Sequence, residues 1–391
     1  MFLNKYFKKS LLLIMSGIMT LSMVANINLS VFAADSSEKV FKPLPNEYKM
    51  TNSKQGTIER LSYNFGSDTK YFNVYIPNGY SQSDTSKKYN VVYLMHGGGE
   101  DENLLFGGPG QNKELKVIID NMIAKGDIEP VIVVTPSFYK GKNDVAGFHE
   151  ELSTALIPLV ETKYNTYLKS KSTADMKASR AHRAFGGFSM GAVCTWYAYI
   201  NCLDYIKYFM PYSGDCWALG TTAGSTKPRE TAQYLADVAK KAGYKAPQDF
   251  KLFCATGSGD IAYPNMTPQI DEMKKLTDTF IYSSDIKTGN FYYMVANGGT
   301  HAWNWINQYI YNVLPDLFKD MEPVGALGDL NSDGSVDSTD YALLRMHLLN
   351  MAPLTGNALK NADLDQNGEV DSIDYSFMKM YLLGMISSFP G

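Results

Sequence analysis

Ser189 lies in Gly187-Phe188-Ser189-Met190-Gly191, a G-x-S-x-G pattern between a short segment, Arg183-Ala184-Phe185, and an apolar run over 192–199. That strand–turn–helix context suits a sharp turn that lifts a hydroxyl clear of a sheet and sets it over a helix N-terminus, where negative charge is favoured. A serine hydroxyl is a weak nucleophile by itself and needs a base to take its proton, with a third group to orient that base. The chain has five histidines: His96, His149, His182, His301 and His347. His96 belongs to the turn of a glycine loop, His149 opens a helix as a surface residue, His182 precedes the elbow strand on the wrong side of the sheet, and His347 lies in a C-terminal repeat. His301, in Gly298-Gly299-Thr300-His301-Ala302-Trp303, follows a late strand and is the expected base. The orienting acid is expected on a strand-end loop between them. Asp260, ending Gly257-Ser258-Gly259-Asp260 after an apolar strand, meets that need better than Asp215, Asp271 or Asp285. A second glycine loop, His96-Gly97-Gly98-Gly99, follows the apolar run 91–95. Its Gly97 or Gly98 N–H, with that of Met190, would face the oxyanion of an acyl-transfer intermediate.

The elements that would hold these residues alternate along 46–320. Short apolar, β-rich segments at 91–95, 131–134, 209–212, 252–255 and 291–295 read as strands buried on both faces. Amphipathic stretches such as 150–164 and 192–201 lie between them and read as helices. This alternation predicts an α/β fold with a mostly parallel central sheet. Segments 60–65 and 70–76 read as an antiparallel hairpin leading into it.

Two segments at the C-terminus match at an offset of 34 residues, Gly328 to Asp340 and Ala362 to Asp374. Each carries oxygen-bearing side chains on alternate positions of a twelve-residue loop. In the first loop Asp329, Asn331, Asp333, the Ser335 carbonyl, Asp337 and Asp340 occupy positions 1, 3, 5, 7, 9 and 12. In the second these are Asp363, Asp365, Asn367, the Glu369 carbonyl, Asp371 and Asp374. A hard divalent cation takes six or more such oxygens, so each loop predicts one Ca2+ in a small all-α module with EF-hand-like loops. Position 12 is Asp where an EF-hand has Glu, and no entering helix is expected before either loop; an apolar helix follows each.

Charge and targeting signals bound the remaining options. The 36 basic and 40 acidic residues leave a net charge of −4, without the basic surplus that nucleic-acid binding requires. Residues 328–391 hold nine acidic and three basic side chains, a net of −6, so the rest of the chain is +2 (33 minus 31). Lys5, Lys8 and Lys9, an uncharged apolar run and Val31-Phe32-Ala33 predict a signal peptide over 1–33, cut before Ala34. A secreted protein without a membrane span is then expected. The predicted organisation continues with an N-terminal linker at 34–45, the α/β domain at 46–320, a linker at 321–327 and the repeat module at 328–391. Cys194, Cys202, Cys216 and Cys254 form no CxxC pair and read as buried thiols.

The glycine loop, the elbow, Tyr212-Ser213-Gly214-Asp215-Cys216-Trp217, the 257–262 loop and Gly299-Thr300-His301 together resemble the esterase D-like α/β-hydrolases. More narrowly they resemble carbohydrate esterase family 1, which includes feruloyl esterases. The C-terminal repeat resembles the type I dockerins, which attach polysaccharide-degrading enzymes to a scaffold by binding its cohesin domains. The first resemblance implies a secreted serine esterase that releases ferulate or a related hydroxycinnamate from arabinoxylan and needs no cofactor for catalysis. Xylan acetyl esters are the competing substrate, and a non-catalytic carbohydrate-binding module or an acyltransferase the competing classes. Trp217 and Trp303, beside the proposed site, would stack on an aromatic acyl group or a sugar, or else pack in the core. The second resemblance implies two calcium ions and a cohesin partner read by Ser338, Thr339, Ser372 and Ile373, with Arg345 and Lys379 matching across the repeat. The Thr339–Ile373 mismatch predicts one preferred binding face.

Overall fold

The computed structural model describes residues 39–140, 144–319, 327–331, 335–354 and 356–391. The predicted signal peptide, the start of the N-terminal linker and most of the second linker lie outside the described residues.

Among the described residues, eight strands form one sheet: β1 (Thr57–Phe65), β2 (Asp68–Ile76), β3 (Val91–Met95), β4 (Ile132–Thr135), β5 (Arg183–Phe188), β6 (Tyr208–Tyr212), β7 (Lys251–Gly257) and β8 (Phe291–Ala296). Their spatial order is β1-β2-β4-β3-β5-β6-β7-β8. β1 pairs antiparallel with β2, and β2 with β4; every later pairing is parallel. The expected hairpin and parallel sheet are therefore both present.

Strand geometry explains the apolar runs. Successive side chains of a strand point to opposite faces. In β3, Val91, Tyr93 and Met95 enter one buried cluster while Val92 and Leu94 enter another. The first cluster is closed by the helices Met190–Cys202 and Pro228–Lys241, through Val193, Trp196, Leu235 and Ala239. The second is closed by Glu114–Lys125 and Trp303–Val313, through Ile118, Met122, Ile306 and Ile310. Each such aliphatic side chain taken from water is worth about 1.5–3 kcal/mol. Outer strand β1 is buried only at Ile58, as an edge with one solvated face should be.

The expected helix over 150–164 exists but is not uniform: Phe148–Glu151 and Ile157–Lys163 are α-helical and Leu152–Leu156 between them is a π turn. Pro158 has no N–H to give the Thr154 carbonyl. Ser153 and Thr154 hydroxyls bond back to the His149 and Glu150 carbonyls, which further loosens the regular ladder. A buried ion pair fixes the start of β5: Arg183 Nε donates to Glu161 Oε1 at 2.6 Å, and the Tyr93 hydroxyl donates to the same oxygen at 3.0 Å. All four cysteines are free and buried, as expected.

Among the described residues, the C-terminal module has three helices, Ser338–Leu348, Gly356–Ala362 and Ser372–Leu382, over a core of Leu330, Leu344, Ala362, Leu364 and Met378. Tyr341 and Tyr375, equivalent in the repeat, stack at 4.2 Å and 10°. The helix Gly356–Ala362 corrects the expectation that neither loop has an entering helix. Its sequence shows little apolar periodicity, but Ala362 is fully buried and Asn361 Nδ2 donates to the Asp329 carbonyl, so tertiary packing forms the turn.

Candidate active site

Ser189 follows β5 directly and caps the helix Met190–Cys202 with φ 56° and ψ −115°, a backbone conformation costly for a residue with a side chain. Its N–H donates to the Tyr212 carbonyl at 3.0 Å, which ties the turn to the adjacent strand β6. The turn must pass close to β3: a Cβ on Gly191 would lie 2.6 Å from the His96 and Met95 carbonyl oxygens. Glycine there is a steric requirement of the elbow.

The loops after β7 and β8 meet in the same way. A Cβ on Gly257 would lie 2.2 Å from the Gly299 carbonyl carbon, and the Gly259 N–H donates to Gly299 O at 2.9 Å. This backbone-to-backbone contact brings Asp260 and His301 together. His301 Nδ1 stands 2.7 Å from Asp260 Oδ1, and Nε2 stands 2.9 Å from Ser189 Oγ. With the ring proton on Nδ1, the imidazole donates to the carboxylate and its Nε2 accepts from the serine hydroxyl. Asp215, the nearest rival acid in the sequence, instead accepts from the Trp217 indole at 3.0 Å and the Gly224 N–H at 2.9 Å. The Asp260 side chain is inaccessible and that of His301 is 22% exposed, so the row runs from the interior to the surface. Burial alone would raise the Asp260 pKa, but the His301 and Ala262 bonds outweigh it and hold the carboxyl below its ordinary value. An ionised carboxylate there fixes the imidazole tautomer and would stabilise an imidazolium.

The glycine loop supplies a correction. The Gly97 N–H, one of two expected oxyanion donors, donates to Glu100 Oε2 at 2.7 Å. Gly97 serves by its small size, because a Cβ there would fall 2.9 Å from Glu100 Oε2 and 3.3 Å from Phe188 Cδ1. The Gly98 N–H has no hydrogen-bond partner among the described residues, and Gly98 packs against Met190, whose own N–H is in the first helical turn and lacks an intrahelical acceptor. Those two amides are the available donors. His96 is buried, with Nδ1 2.7 Å from Gly97 O and Nε2 2.8 Å from Ser137 Oγ, so it supports the loop as expected. His182 pairs with Asn90 and stacks on Tyr167, away from Ser189. His149 is half-buried, which lowers its pKa, and is not the surface residue expected.

Trp303 makes a T-shaped contact with Phe188 at 5.1 Å, and its indole N–H donates to Glu100 Oε1 at 2.7 Å. Both expected substrate-facing tryptophans thus spend their N–H groups internally, Trp217 on Asp215 and Trp303 on Glu100, and only their rings remain for a ligand. The sequence reading missed Glu100. A carboxylate three residues beyond Gly97, able to reach back to its N–H, was the available signal.

In the C-terminal module one carboxylate oxygen each from Asp363, Asp365 and Asp374 lies within 4.8 Å of the others. Asn367 Oδ1 accepts from the Glu369 N–H at 2.8 Å, and Gly368 takes φ +93° where the loop turns. Asp374 and Asp340, at the two twelfth positions, are fully buried and accept backbone N–H bonds from Leu364 and Leu330 at 2.7 Å each. Asp337 and Asp371 cap the following helices through the Thr339 and Ile373 N–H groups. The three converging carboxylates of the second loop, Asp363, Asp365 and Asp374, fit a calcium ion. Asp329 is buried, while Asn331 and Ser335 are exposed; Asp333 lies outside the described residues. Ser338, Thr339, Ser372, Ile373, Arg345 and Lys379 are all exposed on the two repeat helices.

Residues 62–317 match the family described as "Putative esterase", and residues 327–383 match the dockerin type I domain. The chain is 44% identical over 278 residues to endo-1,4-beta-xylanase Y of Acetivibrio thermocellus, an alignment covering 71% of this chain and 24% of that protein. It therefore spans about a quarter of that relative. Among solved structures, a mutant feruloyl esterase module from Clostridium thermocellum, complexed with sinapinate, matches at 43% identity and TM-score 0.67, covering 73% of this chain and 95% of that one. A ferulic acid esterase from Anaeromyces mucronatus, at 19% identity and TM-score 0.53 over 72% and 99% of the two chains, shares the fold. By sequence, by sheet order and by these matches, the chain belongs to the esterase family of α/β-hydrolases, carboxylic ester hydrolases, and ends in a type I dockerin domain.

Proposed function

We propose that the protein is a secreted feruloyl esterase that acts on arabinoxylan and is held on a scaffold through its dockerin. Ser189 Oγ attacks the ester carbonyl as His301 Nε2 takes its proton, and the Met190 and Gly98 N–H groups receive the oxyanion. Collapse forms an acyl-enzyme and expels the sugar alcohol, which takes the proton back from His301. Water then attacks the acyl-enzyme with His301 as base, freeing the acid and restoring Ser189. The observation that carries this reading is the unbroken Ser189–His301–Asp260 row, at 2.9 and 2.7 Å. The likeness to a feruloyl esterase module supports the acyl group.

Calcium ions in the two loops, one in each, order the C-terminal module. The surface of Ser338, Thr339, Arg345, Ser372, Ile373 and Lys379 then meets a cohesin domain. The signal-like residues 1–33 support export, and the esterase and dockerin occupy 46–320 and 328–391. Release of ferulate and of acetate from arabinoxylan, compared between the wild type and Ser189→Ala, tests the reading. Ferulate release that disappears in the variant is expected. Acetate release alone would point to an acetyl xylan esterase, and equal activity in both proteins would remove Ser189 from the mechanism.

A further inference from the structure

We propose that a polar cleft beside the glycine loop is a sugar subsite, which holds the polysaccharide chain carrying the ester; this rests on the sugar-ester reading above. The cleft encloses about 380 Å³, within the range of about 300–1,000 Å³ common for small-ligand sites. Tyr71 from β2 and Tyr139 from the loop after β4 stand on it, 44% and 42% exposed. Both rings are backed on one face. The Arg60 guanidinium lies 4.5 Å from the Tyr71 ring centroid, and His96 stacks against Tyr139 at 5.6 Å and 24°. Rings held this way lose little further rotational freedom when a ligand covers the open face, which suits the flat apolar face of a sugar.

Charge favours an uncharged ligand. Arg60 is paired with Glu102 at 2.6 Å and Lys70 is buried against Glu151 at 2.7 Å, which leaves the exposed Lys140 and Asp101 as opposite charges lining the cleft and no surplus of one sign for a phosphate or carboxylate. Asp101 and Asn103, joined to each other and to Asn73, offer acceptors and donors for hydroxyl groups along the cleft edge.

Position ties the cleft to the chemistry. The Tyr139 hydroxyl accepts the Gly99 N–H at 2.6 Å, two residues from Gly97, where an added Cβ would stand 3.5 Å from Ser189 Cβ. Two residues of chain span at most about 7 Å, roughly one sugar ring. The leaving alcohol must receive its proton from His301 Nε2 and so departs on the imidazole side. From there Trp303 touches Glu100 at 2.7 Å, and Glu100 adjoins the cleft wall at Asp101.

Two measurements test the subsite. In the first, kcat/KM of Tyr71→Ala is compared on a feruloylated arabinoxylo-oligosaccharide and on methyl ferulate. A selective fall of roughly three- to tenfold on the oligosaccharide is expected, the worth of one stacked ring. In the second, an unsubstituted xylo-oligosaccharide is titrated calorimetrically into Ser189→Ala, with and without Tyr71→Ala. Saturable binding that weakens with the tyrosine removed is expected. Equal effects on the two esters, or oligosaccharide binding indifferent to Tyr71, would overturn the proposal. A wild type that releases no ferulate would defeat the functional reading, and the titration alone would then decide whether the cleft binds sugar.

Discussion

Replacing Glu100 by Gln isolates what holds the oxyanion loop. Each carboxylate oxygen accepts one N–H at 2.7 Å, from Gly97 on one side and the Trp303 indole on the other. The amide of Gln offers one acceptor oxygen and one NH2 donor, so one of the two N–H groups would face another donor. A hydrogen bond to a charged group contributes about 1.5–3 kcal/mol, and the lower end applies because Glu100 is only partly buried. About 1.4 kcal/mol is tenfold in rate. If the loop amides act only as the transition state forms, the change falls on kcat, by roughly tenfold, with KM for methyl ferulate little altered. Steady-state kinetics at one pH, with a melting curve to verify folding, measure it. A Glu100→Gln enzyme with wild-type kcat would show that Glu100 does not hold the loop for catalysis, as would a loss confined to KM.

Other perturbations have equally definite outcomes. Asp260→Asn keeps the shape but allows the wrong imidazole tautomer, and should lower kcat by about 10⁴ in a steady-state assay; Asp215→Asn should not approach that loss. Arg183→Met leaves Glu161 buried without its partner and should cost about 3–5 kcal/mol in denaturant unfolding. Chelating calcium should unfold residues 328–391 by circular dichroism and abolish cohesin binding while methyl ferulate hydrolysis persists. Ile373→Thr should make the two repeat faces alike and change the orientation or affinity of cohesin binding; an unchanged complex would remove Ile373 from recognition.

The fold was legible because buried parallel strands announce themselves as uninterrupted apolar runs, as in Val91–Met95, all five residues of which are buried. The hydrogen-bonded row Ser189–His301–Asp260, proposed above as the triad, was legible because a sharp elbow requires glycine at Gly187 and Gly191, and topology places the acid and base on strand-end loops. Three features were hidden. The Gly97 amide looked free because its acceptor, Glu100, becomes one only when the loop folds back. The entering helix Gly356–Ala362 depends on packing of Ala362 and on the Asn361 contact with the other loop, not on local propensity. The π turn at Leu152–Leu156 reflects competition between two hydroxyls and a proline inside an otherwise regular amphipathic pattern.

Covalent trapping tests the nucleophile most directly. The full chain is mixed with an activated ferulate ester, quenched in acid within the turnover time, digested and examined by mass spectrometry. A feruloyl group is expected on the peptide bearing Ser189, accumulating before steady state and missing from Ser189→Ala. Ferulate production with no acyl adduct at Ser189, or an adduct on another residue, would contradict this expectation.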